Sequence, residues 1–167
     1  MSPNASFDIS TGADLQEVDN AVNQALKEVA QRYDFKGTTC TIELDRKAAV
    51  IRLEADDEFQ INALNQLLDT KLVKRKVPLK NVKVGESEAA AGGRVRRLIS
   101  LTQGIPDDVA RQIVKDVKGQ GLKKAQIAIQ GDELRVTSPS RDTLQEVITF
   151  LRSQDYGIEL TFGNYRP

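Results

Sequence analysis

Two stretches of this chain repeat the same pattern of apolar residues with the same spacings. The first series is Ile51, Leu53, Ile61, Leu64 and Leu68. The second series, at identical intervals, is Leu134, Val136, Leu144, Val147 and Leu151. In each series an alternating pair typical of a strand precedes residues spaced at the helical period. Because 167 residues can hold two small domains, the sequence predicts a tandem duplication.

Each half of the chain predicts the element order βαββαβ. Asp14 and Asp57 each precede a helical stripe and are followed three residues later by Glu or Gln, the signature of a capping box. In the second half, Pro106 is predicted to open the first helix and Ser140 the second. The predicted fold class is therefore α+β, with duplicated ferredoxin-like domains.

A tight hairpin is predicted in the second half. Gly131-Asp132 separates two alternating runs, 126–130 and 133–137, and is typical of a two-residue turn. The alternation places Ile127 and Ile129 on the inward face of the first of these strands.

The connection between the halves predicts that they exchange their first strands. The short Ala- and Gly-rich segment 89–93 joins strands 82–88 and 94–101, which is a hairpin signal. In a βαββαβ sheet the first and fourth strands are antiparallel neighbours, so strand 94–101 takes the first-strand position of the first domain. The N-terminal strand 6–10 then fills that position in the second domain, beside strand 158–163. The predicted domains are 12–103, and 1–11 with 104–167.

The composition excludes several kinds of chemistry. The chain has no His and one Cys, which excludes Ser-His-Asp and Cys-His catalysis, His-ligated zinc and a Cys-built metal site. It contains no GxxxxGK[ST] or GxGxxG phosphate loop. No apolar run approaches the roughly 18 residues of a membrane span, and residues 1–10 lack the regions of a signal peptide. We expect a cytoplasmic protein that is not an enzyme and uses no metal or cofactor.

Basic residues are concentrated next to the connection between the halves. Residues 71–97 contain nine basic and two acidic side chains, although the 24 bases and 24 acids of the chain balance. The open face of the first predicted sheet carries four basic residues: Arg52, Lys83, Arg94 and Arg96. A guanidinium can bind a phosphate or the O6 and N7 of guanine, and can stack on a base. The alternative is a solvated charged face balanced by Glu43 and Glu54.

The segment 32–37, Arg-Tyr-Asp-Phe-Lys-Gly, is a second candidate site. Tyr33 and Phe35 have the chemistry to clamp a base, while Arg32 and Lys36 can bind a phosphate. In the alternative, the aromatic rings pin the end of the first helix to the core.

Seven stretches of this sequence resemble the YajQ family of bacterial nucleotide-binding proteins. They are Ser6–Ile9, Asp14–Glu17, Arg32–Gly37, Lys71–Arg75, Gln103–Ile105, Gln130–Thr137 and Ser140–Gln145. The resemblance implies tandem ferredoxin-like domains similar to RNA-recognition motifs, with swapped first strands. It also implies a cytoplasmic protein that binds nucleotides or RNA, and some relatives act as cyclic di-GMP receptors that influence transcription.

The outward positions identified on the two predicted sheets carry no aromatic residue. RNA-recognition motifs read single strands by stacking bases on aromatic side chains of the central strands, so readout of that type is not expected. The favoured function is a non-catalytic nucleotide-binding effector, with cyclic di-GMP as the expected ligand, that acts through a transcription-regulating partner. The alternatives are an RNA-binding accessory protein using phosphate and shape contacts, and a protein–protein adaptor.

Overall fold

The computed structural model describes residues 4–167 of the chain. These residues fall into two compact units: Ala13–Gln103 forms one, and the segment up to Gly12 together with Gly104–Pro167 forms the other. Each unit contains one antiparallel sheet and two helices. No helix in the described residues combines the length and the hydropathy needed to cross a membrane.

The strands and helices follow one another in the predicted order. In chain order they are β1 (Ala5–Ser10), α1 (Leu15–Gln31), β2 (Thr41–Asp45), β3 (Val50–Ala55), α2 (Glu58–Lys74), β4 (Val82–Val84), β5 (Glu88–Ala89), β6 (Val95–Leu101), α3 (Asp107–Gly119), β7 (Gln126–Gln130), β8 (Glu133–Ser138), α4 (Arg141–Arg152) and β9 (Thr161–Arg166).

The strand orders confirm the predicted fold class, including the exchanged first strands. In the unit Ala13–Gln103 the sheet order is β2-β3-β6-β4, with β6 antiparallel to both of its neighbours. In the other unit the order is β7-β8-β1-β9, and β1 is antiparallel to β8 and β9. The N-terminal strand therefore completes the sheet of the C-terminal repeat, and β6 occupies the equivalent position in the first.

Each sheet buries one face against its helices, as the repeated apolar pattern predicts. In the first unit the fully buried side chains include Ile51, Leu53 and Ile99. In the second unit Phe7 and Leu134 are equally inaccessible. Burial of a Leu, Ile or Phe side chain contributes about 1.5–3 kcal/mol, so these two cores account for much of the stability.

The helix starts follow the capping signals in the sequence. The Asp14 carboxylate accepts hydrogen bonds from the backbone N–H groups of Gln16 and Glu17, at 3.0 and 3.4 Å. Ser140 accepts one from the N–H of Thr143 at 3.2 Å. Such caps satisfy donors that the helix itself leaves without partners.

The sheet edges depart from the sequence prediction. The last strand is Thr161–Arg166 rather than 158–163, and a bulge at Asn164, with φ of 54°, lets it continue along β1.

The predicted strand 82–88 is two short strands, β4 and β5. Between them Gly85 passes so close to β6 that a Cβ there would lie 2.9 Å from the Leu98 carbonyl oxygen. Ile129, predicted to point inward, is 45% exposed and lies on the edge strand β7.

We expect Ile99→Ala to destabilise the protein by about 2–5 kcal/mol, because it removes buried methyl groups from the centre of the first sheet. Ser100→Ala, at the exposed neighbouring position, should change stability by less than about 0.5 kcal/mol. Urea unfolding followed by circular dichroism measures both. Equal free energies of unfolding for the two variants would contradict the assignment of the core face of β6.

Candidate functional site

The open face of the first sheet brings together three of the predicted basic residues. Cross-strand register places Arg52 opposite Leu98, and Arg96 opposite Glu54. Lys83 lies on the edge strand β4, opposite Ser100. All of these positions alternate with buried residues on their strands, so they share the face that the helices leave uncovered.

An open groove of about 660 Å³ lies on this face, at the end nearest the β2–β3 hairpin. Its lining residues are Glu43, Leu44, Asp45, Arg46, Ala48, Val50, Arg52 and Leu98. Val50 and Leu98 supply an aliphatic surface, while the other lining residues on this face, Glu43, Asp45 and Arg52, are charged. The volume is within the range of about 300–1,000 Å³ that is usual for small-molecule sites.

Two guanidinium groups on this face have weak ionic partners. The nearest contact between Arg52 and Glu43 is 3.9 Å from Nη1 to Oε2, and the Arg52 side chain is 53% exposed. Arg96 Nη2 lies 3.6 Å from Glu88 Oε2. Exposed pairs at such distances contribute little, about 0–1 kcal/mol, so either guanidinium can exchange its carboxylate for an anionic ligand at small cost.

Arg94 is held much more firmly than Arg52. Its guanidinium lies 3.5 Å from Glu54 and 3.5 Å from Asp56, and it donates a hydrogen bond to the carbonyl oxygen of Thr39. The side chain is only 25% exposed. These contacts join the start of β6 to β3 and to the segment before β2, so they stabilise the sheet.

The segment 32–37 separates its two aromatic side chains. Phe35 is 4% exposed and belongs to the hydrophobic core, as the anchoring alternative predicts, whereas Tyr33 is 87% exposed. Arg32 forms two hydrogen bonds to Asp34, at 3.0 and 2.6 Å, and these lower the pKa of the Asp34 carboxyl. Lys36 is exposed. A base clamp formed by both rings is incompatible with this arrangement, because only Tyr33 is accessible.

The open face of the second sheet carries a polar cluster that the sequence revealed only in part, since alternation places Asp8 and Arg135 on this face. The Asp8 carboxylate accepts hydrogen bonds from Arg135 at 3.1 Å, Arg166 at 2.9 Å and Asn164 at 2.6 Å. Arg166 also donates to the hydroxyl of Ser6 at 2.8 Å. Two guanidinium groups thus share one carboxylate, which leaves the cluster with an excess positive charge.

Burial raises the pKa of Asp8, but hydrogen bonds from Asn164, Arg135 and Arg166 outweigh that effect, so the pKa lies below its ordinary value. The sequence prediction missed Asn164 and Arg166 because the predicted last strand, 158–163, ended before both of them. Leu98 was also overlooked, although alternation from Arg94 and Arg96 reaches it directly.

The carboxylates and the single thiol form no metal-ligand group. Among residues 4–167, no three His, Cys, Asp or Glu side chains are placed so that they could hold a metal ion. Cys40 is partly buried, and this burial raises the pKa of its thiol, although a hydrogen bond with Thr38 acts in the opposite direction. The side chain is therefore a neutral thiol at pH 7 and a poor nucleophile.

We expect Asp8→Asn to flatten the acid dependence of stability. Because folding lowers the pKa of Asp8, its ionised form stabilises the protein above the unfolded-state pKa of about 4. This contribution is lost as the pH falls through the folded-state value. Urea unfolding of both proteins between neutral pH and pH 2 should show a smaller loss below about pH 4 for the variant. Identical slopes would contradict the assignment.

Comparison with known proteins places the chain in a family. The family model described as "Nucleotide-binding protein YajQ-like" matches residues 5–166. A protein of Koribacter versatilis named as a nucleotide-binding protein is 48% identical over 161 residues, which covers 96% of each chain. A nucleotide-binding protein of Carboxydothermus hydrogenoformans is 46% identical over 166 residues, covering 99% of this chain and 100% of its own. One from Geobacter sp. is 45% identical, covering 96% and 98%. The chain therefore belongs to the YajQ-like family of nucleotide-binding proteins.

Proposed function

We propose that this chain is a non-catalytic nucleotide-binding protein that holds its ligand in the groove on the open face of the first sheet. The observation that carries the proposal is the combination of an aliphatic surface, Val50 and Leu98, with the loosely paired guanidinium of Arg52. A nucleotide presents the same combination, because its base is flat and largely apolar on its faces while its phosphate is anionic. The names of the relatives point to the same ligand class.

Within this class, a guanine-containing cyclic dinucleotide suits the groove best. Guanine offers O6 and N7 acceptors to a guanidinium, and its N2 amino group donates to carboxylates. The groove supplies both kinds of partner, since Arg52 lies beside Glu43 and Asp45 is also part of the lining. The second phosphate of a cyclic dinucleotide would face Arg96, on the neighbouring strand.

The role proposed for this complex is that of a cytoplasmic effector. Arginine and carboxylate side chains predominate among the polar groups of the groove, and this chemistry binds and orients a ligand. A protein that binds a nucleotide without converting it acts by changing which other macromolecules it contacts. The partner proposed here is a transcription regulator. The ligand can change the binding of the regulator only as far as the regulator's affinities for the free and the ligand-bound protein differ.

RNA binding is the second candidate function, and the Asp8 cluster favours it. Arg135 and Arg166 share one carboxylate on an open sheet face without aromatic platforms, a chemistry suited to phosphates rather than to bases. Binding through several phosphates is steeply weakened by salt, because counterions are released from the nucleic acid. A dinucleotide held in a groove depends less on salt.

We expect calorimetric titration with cyclic di-GMP to show saturable binding that Arg52→Ala weakens about tenfold to a hundredfold. This range corresponds to the loss of a charge-assisted hydrogen bond, about 1.5–3 kcal/mol. Leu98→Ala should also weaken binding, because the base loses part of its aliphatic support. The control is Arg111→Ala, which removes an equally exposed charge from α3 in the other unit and should leave affinity unchanged.

The same titrations with GTP and a short single-stranded RNA, at low and physiological salt, separate the candidates. Dinucleotide binding that survives physiological salt and depends on Arg52 supports the effector. RNA binding that collapses with salt, together with no heat from the dinucleotide, would replace it with the RNA-binding function. Saturable dinucleotide binding that is unaffected by both groove variants would place the site elsewhere on the chain.

A further inference from the structure

Within residues 4–167, the edge strands of the two sheets differ in their protection against pairing with another strand. The edge strand β2 carries Glu43 and Asp45, and β4 has only three residues, one of them Lys83. The edge strand β9 is interrupted by the bulge at Asn164. Charges, short length and bulges are the devices by which natural proteins prevent edge pairing. The remaining edge, β7, reads Gln-Ile-Ala-Ile-Gln and has none of them.

The apolar residues of β7 are also less covered than their counterparts in the first repeat. By register, Ile127 faces Val136 as Ile42 faces Leu53, yet Ile42 is buried and Ile127 only partly so. Helix α3, which packs on β7, has 13 residues, whereas α1 of the first repeat has 17. A groove of about 390 Å³ lies between the end of α3 and β7.

The backbone of β7 has its hydrogen-bonding groups free on the outer side. The two-residue turn makes Gln130 and Glu133 a hydrogen-bonded pair, so residues 126, 128 and 130 bond to β8. The N–H and C=O groups of Ile127 and Ile129 therefore point away from the sheet. Within residues 4–167 no strand pairs with this side of β7.

The sequence around β7 is self-complementary when it is reversed. Centred on Ala128, the strand reads Gln-Ile-Ala-Ile-Gln in both directions. Within β7, Gln126 therefore mirrors Gln130 and Ile127 mirrors Ile129. The chain turns at both ends of the strand, with Lys123 and Lys124 in the turn before β7 and Asp132 in the turn after it. Lys123 and Lys124 have no ion-pair partner in the described part of the chain. An antiparallel copy of the same strand would bring the partner's hairpin turn, which contains the partner's Asp132, to the end of β7 where these lysines lie.

We propose that a second copy of this chain pairs its β7 with β7 antiparallel about Ala128, forming a two-fold dimer with one continuous eight-stranded sheet. Ile127 then pairs with the partner's Ile129, so four isoleucines meet on the face that α3 covers. Residues directly opposite on an antiparallel pair share a face, so the two open faces, each with its Asp8 cluster, also become one surface. Such an isologous contact closes on itself and stops at two copies.

The self-complementary charges favour a second copy over an acidic segment of another protein. The lysines alone would suit any acidic strand. The chain, however, supplies an acidic turn of its own directly after β7, and the register that pairs isoleucine with isoleucine places this turn near the lysines of the other copy.

Sedimentation across a dilution series tests the proposal directly. The intact protein should sediment at twice the chain mass and dissociate on dilution. Ile129→Lys should raise the dimer dissociation constant about tenfold or more, because pairing would bury a charge against isoleucine. The matched control is Val84→Lys, which alters a similarly exposed residue, 49% against 45%, on the edge strand β4. A monomeric protein at all concentrations, or equal effects of the two lysines, would overturn the proposal.

Cysteine cross-linking tests the register in a chain whose Cys40 is replaced by alanine. Only residue 128 faces its own copy across the two-fold axis, in a non-hydrogen-bonded pair with Cα atoms about 4.5 Å apart, which suits a disulfide. Ala128→Cys should therefore form a covalent dimer under mild oxidation. Gln126→Cys, equally exposed, should not, because its own copy lies roughly 13 Å away along the strand. Equal cross-linking by both variants, or none by Ala128→Cys, would overturn the register.

Discussion

The placement of one antiparallel strand between two others in each sheet is the constraint on which the rest of this structure depends. Strand β6 lies between β3 and β4, and β1 lies between β8 and β9. These strands deliver fully buried residues to the two cores, such as Ile99 and Phe7. By alternation they also deliver Leu98 and Asp8 to the open faces. The packing that holds each unit together and the open surface of its sheet therefore come from the same strands.

The arginines of the open faces divide into two kinds according to their carboxylate partners. Arg94 is enclosed by two carboxylates and a carbonyl oxygen, so its guanidinium group stabilises the position of β6. Arg52 has one distant partner and remains exposed beside an aliphatic surface. The difference is geometric rather than chemical, since both residues carry the same group. It explains why the proposed ligand site lies at the β2–β3 end of the sheet rather than at the start of β6.

The two repeats share a fold but differ in what they leave uncovered. The first repeat has the longer helix over its edge strand and adds Phe35 to its core from the following segment. In the second repeat the segment after α3 adds only partly buried residues, such as Leu122. Its edge strand β7 consequently keeps exposed isoleucine. Duplication thus produced two units with different surfaces, a charged groove in one and an unprotected edge in the other.

The sequence by itself determined the element order, the caps at Asp14 and Ser140, and the exchange of first strands. These follow from local periodicity and from the length of the connection between β5 and β6, and both can be read from one sequence. Only the tertiary structure decided that Arg94 is enclosed, that Phe35 is buried, and that Arg166 reaches Asp8. Alternation assigns a residue to a face, but its partners depend on the register between distant strands. One bulge at Asn164 or one missing helical turn changes those partners without disturbing the pattern.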